Sequence, residues 1–344
     1  MPPGTRKRPY WSGYDYEELL DLRFMDLRVK LADTPLTYHV QQLYDELEHR
    51  GIGFRPHCWL SDEWFSPDSI PGIAIPFYLA HPKLTKLEAK QVYEVEGGTD
   101  RSCMRLLRHE AGHAICTAYQ LGRRKKIKRV FGKFNKPYPD YYRPNPRSKN
   151  YVMHLDWWYA QSHPAEDFAE TFAIWLKPRS RWRKDYKDWP VLKKLEYMDE
   201  LMGTLEGRKP LNSKRKYVDP VSRIKKTLRE HYEHKRSHYS VNVPHVYDSE
   251  LIRLFRRDNG SGKREPSAAA FLRAYQNELC EICARGSGMY PYDIAQILQD
   301  MIVRCREMKL KISRSDDDLK TDVAIFVVLQ SLNYRQRINH RIAI

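Results

Sequence analysis

His109-Glu110-Ala111-Gly112-His113 places two imidazoles four residues apart, with a carboxylate directly after the first. On a helix, positions i and i+4 share one face about one turn apart, so both rings can reach a single metal ion. Glu110 then points toward the same pocket. Zinc suits such a set. A catalytic zinc takes three protein ligands and keeps a fourth position for water, from which a neighbouring glutamate can take a proton. Two imidazoles leave the set one ligand short. The segment Glu166-Asp167-Phe168-Ala169-Glu170 offers carboxylates for the third place, and His154, Asp156 and His163 are rivals just upstream of it. His163 stands beside Pro164, a position that suits the start of a helix. Because a five-residue pattern with three fixed positions also occurs in ordinary solvated helices, the elements that carry these residues decide the matter.

Those elements read as two helices. Gly97-Gly98 precede Thr99 and Asp100, either of which can cap the first turn of the run holding the motif, and Gly122 follows its end. Leu107, Ala111, Ala114 and Ala118 form an apolar stripe roughly 200° around the helix from His109 and His113, at about 100° per residue. The small Ala111 and Gly112 let another element come close. In the second helix Pro164 suits the first turn, Phe168, Phe172 and Leu176 make the packing stripe, Glu166 and Glu170 fall on the opposite side, and Pro178 ends it.

Together the two helices carry a family resemblance. A histidine-pair helix followed by a glutamate helix resembles the gluzincin metallopeptidases. The run from Glu166 to Phe172 is similar to the E-x-F-A-E-x-F segment of the anthrax lethal-factor and Pro-Pro endopeptidase group, and Tyr159 stands seven residues before Glu166. The resemblance implies that Glu166 is the third zinc ligand and that Glu170 accepts a hydrogen bond from a ligand histidine and holds its ring. It also implies that Tyr159 donates to the oxyanion of the tetrahedral intermediate. The segment from Ser162 to Leu176 also resembles bacterial proteins described only as zinc-binding metallopeptidases, which names a site and no substrate. The likeness covers residues 50–180 and is specific at the two helices. The metzincin pattern is set aside because Tyr119 stands where its third histidine would be.

Further elements fill in around the motif. Helical signals run from Tyr16 to His49 and from Val191 to Leu205. Gly72 to Ala80 reads as a strand, and Pro76 suits a sheet edge along which an extended substrate could pair, though a buried strand fits as well. Phe131 to Ser148, rich in Pro, Tyr, Lys and Arg, reads as a long loop over the cleft. Glu206-Gly207-Arg208-Lys209-Pro210 and the basic stretch beyond it read as a linker. Past it, Arg223 to Ser237, Pro266 to Arg285, Pro291 to Lys309 and Asp316 to Tyr334 read as successive helices. The expected fold is therefore α+β. A zincin-like catalytic domain over 1–210 contains the histidine-pair and glutamate helices, and an all-α accessory domain follows over 218–344.

At 344 residues the chain exceeds what one core usually holds. No segment reaches the roughly 18 apolar residues of a membrane span, and the basic amino terminus has no apolar run behind it. Six scattered cysteines suit a reducing compartment, so a cytoplasmic protein is expected. Cys280 and Cys283 lack a second pair at zinc-ribbon spacing and read as helix positions. His231, His234 and His238 could suggest a second metal, but they lie among Glu233, Lys235 and Arg236 and read instead as positions on a solvated helix. Net charge is +16, concentrated at Arg123 to Arg129, Lys177 to Lys187 and Arg208 to Lys226. Such clusters give weak polyanion binding or simply keep a protein dispersed. The motif together with the resemblance points to a Zn²⁺-dependent peptidase acting on a peptide or protein substrate, with His109 and His113 as ligands and Glu110 as general base, and with Glu166 as third ligand and Tyr159 as oxyanion donor as the resemblance implies. The competing reading is a basic nucleic-acid-binding protein whose zinc site is structural or vestigial. A structural site would usually close with a fourth Cys or His, and none stands at suitable spacing.

Overall fold

The computed structural model describes residues 8–139, 141–239, 248–257, 266–337 and 342–343. In chain order its elements are α1 (Tyr16–Leu20), α2 (Leu36–His49), β1 (His57–Ser61), β2 (Gly72–Pro76), α3 (Pro82–Val92), α4 (Asp100–Ala118), α5 (Lys125–Val130), β3 (Tyr141–Tyr142), α6 (Pro164–Leu176), α7 (Trp182–Asp185) and α8 (Leu192–Gly203). There follow α9 (Leu228–Tyr239), α10 (Asp248–Leu254), β4 (Arg256–Arg257), α11 (Ala268–Ala274), α12 (Gln276–Ser287), α13 (Pro291–Glu307), β5 (Leu310–Lys311), α14 (Asp316–Arg337) and β6 (Ile342–Ala343). Among the described residues the protein is mostly helical with small sheets, an α+β composition as the sequence implies. The described residues divide into two compact units, one within Met1–Leu87, Val95–His231 and Arg341–Ile344, the other within Glu88–Glu94 and Tyr232–His340.

In the first unit, α4 and α6 form the central packing. Thr99 caps α4 through a reciprocal pair with Ser102, so the first orphan amides of the helix find partners. His163 caps α6 with its own ring, Nδ1 accepting from the Ala165 amide at 3.1 Å, and Pro164 sits in the first turn where no amide is needed. The apolar stripes foreseen on each helix, Leu107, Ala111, Ala114 and Ala118 on one and Phe168, Phe172 and Leu176 on the other, are buried. Gly112 is where the backbones meet: a Cβ there would lie 2.9 Å from the Ala169 Cα. Only glycine permits that approach. Helix α2 packs on α4, and the buried Arg108 guanidinium donates to both Glu46 oxygens at 2.7 Å.

β1 and β2 pair in parallel, His57 opposite Gly72 through Ser61 opposite Pro76. The strand expected to run from Gly72 to Ala80 stops at Pro76, and Phe77 to Ala80 turn into a 3-10 helix. All five strand residues are buried, with β1 on one flank and, on the other, the Ala74 amide donating to the Phe65 carbonyl at 2.8 Å. At that point the strand already has a partner and is not an open edge. The stretch read as a linker also has partners in this unit. Asn212 N donates to Ala118 O at 2.9 Å, Trp59 Nε1 to Val218 O at 2.8 Å, and Val221 N to Leu60 O at 2.9 Å.

The second unit is a helical cluster. Leu272, Leu279, Cys283, Ile294, Leu298, Met301, Val323 and Val327 are fully enclosed in one core. The single helix expected from Pro266 to Arg285 is two, broken at Tyr275, whose backbone at φ −103° and ψ 10° leaves the helical region. Helix α10 has no counterpart in the sequence reading. Cys280 and Cys283 are helix positions in this core, and all six cysteines are unpaired. Among the described residues no helix is long and apolar enough to cross a membrane.

Candidate metal centre

The site is built from one turn of α4 and one turn of α6. Four-residue spacing stacks His109 and His113 on α4, their Nε2 atoms 3.2 Å apart. From the facing helix, Glu166 brings Oε2 to 3.0 Å from His109 Nε2 and 3.2 Å from His113 Nε2. Among the described residues this is the one group of three donors close enough to share an ion.

Its dimensions suit zinc. Tetrahedral ligands about 2.0 Å from an ion stand about 3.3 Å from one another, close to the triangle seen here. The chemistry agrees. Glu170 Oε1 lies 2.7 Å from His109 Nδ1 and can only accept, so Nδ1 carries the proton and Nε2 of the neutral ring turns a lone pair toward the triangle. A lone pair facing a carboxylate at 3.0 Å is unfavourable unless a cation stands between them or the ring is protonated. Glu170 is itself fixed, its Oε2 accepting from the Leu155 amide at 2.7 Å.

Within the site the charges answer one another. Burial pushes the His109 imidazole down, but its hydrogen bonds to Glu166 and Glu170 reverse this and raise it well above its ordinary value. Burial pushes the Glu166 carboxyl up, and the charges and hydrogen bonds of His113 and His109 hold it well below the usual carboxylate range. Glu110 is buried within the field of His109, His113 and Glu166, and desolvation raises its carboxyl. That is the environment of a proton acceptor more basic than a surface glutamate.

Tyr159 reaches the site by a strained route. It lies in a 3-10 turn, Asp156–Gln161, in which Trp157 and Trp158 are both left-handed, with φ 63° and 56°. Each such bulky residue costs about 1–3 kcal/mol and persists only where the surroundings impose it. The turn sets the Tyr159 ring 5.8 Å from the His109 ring, centroid to centroid. Burial, then the charges of Glu166 and Glu110, push its phenol well above the ordinary value, which keeps it a donor. Trp157 O in turn accepts from the Tyr142 hydroxyl at 2.8 Å.

The rival ligands have other work. Both His163 nitrogens are engaged, Nδ1 as the α6 cap and Nε2 donating to Lys136 O at 3.1 Å. His154 Nε2 donates to Arg105 O at 3.0 Å, and Arg105 also meets the exposed Asp156 carboxylate at 3.3 Å. Contrary to the solvated helix expected there, His231 is buried against the Phe24 and Phe77 rings, and the His238 side chain lies outside the described residues. One contact was not foreseen. Tyr138, in the segment read as a loop over the cleft, donates its hydroxyl to Glu166 Oε1 at 2.5 Å. Its setting in Lys136-Pro137-Tyr138-Pro139 has no periodicity that could have aimed it.

A model of the family described as "Putative zinc-binding metallo-peptidase" matches residues 89–182, the stretch that carries α4, α6 and everything between them. Comparison with curated proteins gives no match, nor does comparison with solved structures. The family match supports a zinc metallopeptidase and does not favour the nucleic-acid-binding alternative.

Proposed function

We propose that the protein is a gluzincin-type zinc peptidase, related in its site to the lethal-factor and Pro-Pro endopeptidase group, that hydrolyses a peptide or protein substrate. One observation carries the reading: His109, His113 and Glu166 converge within about 3 Å on a segment matching a zinc-binding peptidase family, with Glu170 fixing the tautomer of His109.

In this reading His109, His113 and Glu166 hold Zn²⁺. Bound there, the ion acts as a Lewis acid toward the scissile carbonyl and lowers the pKa of water to about 7. Glu110, buried and adjacent, takes the proton of the attacking water and returns it to the leaving amine. Tyr159 donates to the oxyanion as the carbonyl carbon becomes tetrahedral. Glu170 keeps His109 oriented throughout. Six unpaired cysteines suit a reducing compartment such as the cytoplasm. The first 210 residues form the catalytic part in this reading and residues 218–344 a helical accessory.

A broad peptide library tests the activity. Zinc-supplied protein should cleave a subset of its members, a chelator should stop the cleavage, and restored zinc should restart it. Cleavage indifferent to chelation, or none at all from zinc-loaded protein, would overturn the assignment.

A further inference from the structure

The two oxygens of Glu166 have different neighbours. Oε2 faces both histidines at 3.0 and 3.2 Å, whereas Oε1 accepts from the Tyr138 hydroxyl at 2.5 Å. We infer that Tyr138 is a positioning residue for the metal ligand Glu166: by occupying Oε1 it leaves Oε2 alone to face the ion. The inference rests on the zinc-peptidase reading of the site.

A free carboxylate has two oxygens and can grip a cation with one or both. With both engaged, the position left for water and substrate is crowded, and a catalytic site needs that position open. A hydroxyl at 2.5 Å from a carboxylate is a short, charge-assisted hydrogen bond, about twice as strong as a neutral one.

Tyr138 is also held in place independently of Glu166. Its ring stacks on His163 with centroids 3.9 Å apart and planes 24° from parallel. His163 caps α6 and donates to Lys136 O, so residues 136–138 are pinned to the helix end from which Glu166 projects. Pro137 and Pro139 flank the tyrosine, restricting its backbone before it is placed and lowering the entropy lost on placing it. Each of two ligands therefore has its own orienting partner, Glu170 for His109 and Tyr138 for Glu166.

Tyr138→Phe removes the hydroxyl and keeps the stacked ring. Measured by competition with a chromophoric chelator, its zinc affinity should fall about 10 to 100-fold, as for loss of a partner that orients a ligand. Visible absorption of the cobalt-substituted protein should weaken relative to wild type as the freed oxygen joins the ion and coordination rises above four. A purely structural role would lower thermal stability and leave both readouts unmoved. An unchanged dissociation constant and spectrum, with Glu166→Ala still losing the metal, would overturn the role of Tyr138 and leave the zinc reading standing. Wild-type protein that binds no zinc would overturn both.

Discussion

Two helix packings in this chain bury different things. Where α4 meets α6, the interior holds His109, Glu110, Glu166 and Glu170, while the buried Arg108 and Asp167 turn to ion pairs with Glu46 on α2 and Lys194 on α8. The cluster of α12, α13 and α14 holds aliphatic side chains and thiols, and the buried polar groups on those helices among the described residues are Ser287, Asp293 and Ser331. The two serines bond to carbonyls one turn back, Ser287 to Cys283 at 2.7 Å and Ser331 to Val327 at 2.6 Å. They cost little. A buried carboxylate or imidazole costs several kcal/mol in desolvation unless partners repay it, so an apolar interior is the cheaper way to hold helices together. Concentrating four buried ionisable side chains between one helix pair therefore marks a place shaped for chemistry, and the other packing shows how the same chain builds a core with no such task.

Substitutions can break that contrast, beginning with the largest expected change. Glu110→Gln should lower kcat by about 10² to 10⁴-fold, the usual worth of a general acid-base group, and keep its zinc. Leu298→Ala in the apolar cluster should instead lower stability by about 2–5 kcal/mol in denaturant melts and leave kcat of the folded protein alone. A Glu110→Gln protein that cleaves at the wild-type rate would strip the contrast of its catalytic meaning. Tyr159→Phe comes next, with kcat down about 10² to 10³-fold and metal content unchanged, the cost of one oxyanion donor. An unaltered kcat would return Tyr159 to the aromatic packing around Trp157 and Tyr142. Glu170→Ala should weaken zinc about 10 to 100-fold in chelator competition, because the His109 ring loses the acceptor that fixes its tautomer.

The smallest effects compare two glycines. A Cβ at Gly112 would meet Ala169 backbone at 2.9 Å, whereas at Gly286 on α12 it would meet only the Val328 side chain at 3.2 Å. Gly112→Ala should cost about 1–3 kcal/mol of stability by forcing the site helices apart, and should weaken zinc as well. Gly286→Ala should change stability by less than about 1 kcal/mol, since a better helix former offsets the tight contact. Equal effects on stability, with zinc affinity indifferent to both, would show that the closeness of α4 and α6 does not shape the site.

How far the site could be read from sequence follows from which contacts are local. The His109 and His113 pair, the Thr99 cap, Pro164 in the first turn and the spacing of Glu166 and Glu170 are helix-periodic or next-neighbour features, and sequence carries those directly. Tyr138 and the Glu46 partner of Arg108 arrive from segments 28 and 62 residues away, through contacts no periodicity encodes. The Trp157 and Trp158 turn was hidden for a different reason: two bulky left-handed residues contradict local preference and are imposed by their surroundings. The strand at Gly72 was legible and its partner Phe65 was not, so the sequence left edge and buried strand open and the structure has the buried one. In the second unit, Tyr275 ends one helix and begins another without the glycine or proline that would announce a break.

The central claim is that α4 and α6 converge to hold one metal ion. Metal analysis of protein purified gently with zinc supplied tests this most directly, on wild type, Glu166→Ala and His163→Ala side by side. Wild type and His163→Ala should each carry about one zinc per chain, and Glu166→Ala should carry essentially none. A wild-type chain without zinc, or a Glu166→Ala chain that keeps it while His163→Ala loses it, would contradict the site described here.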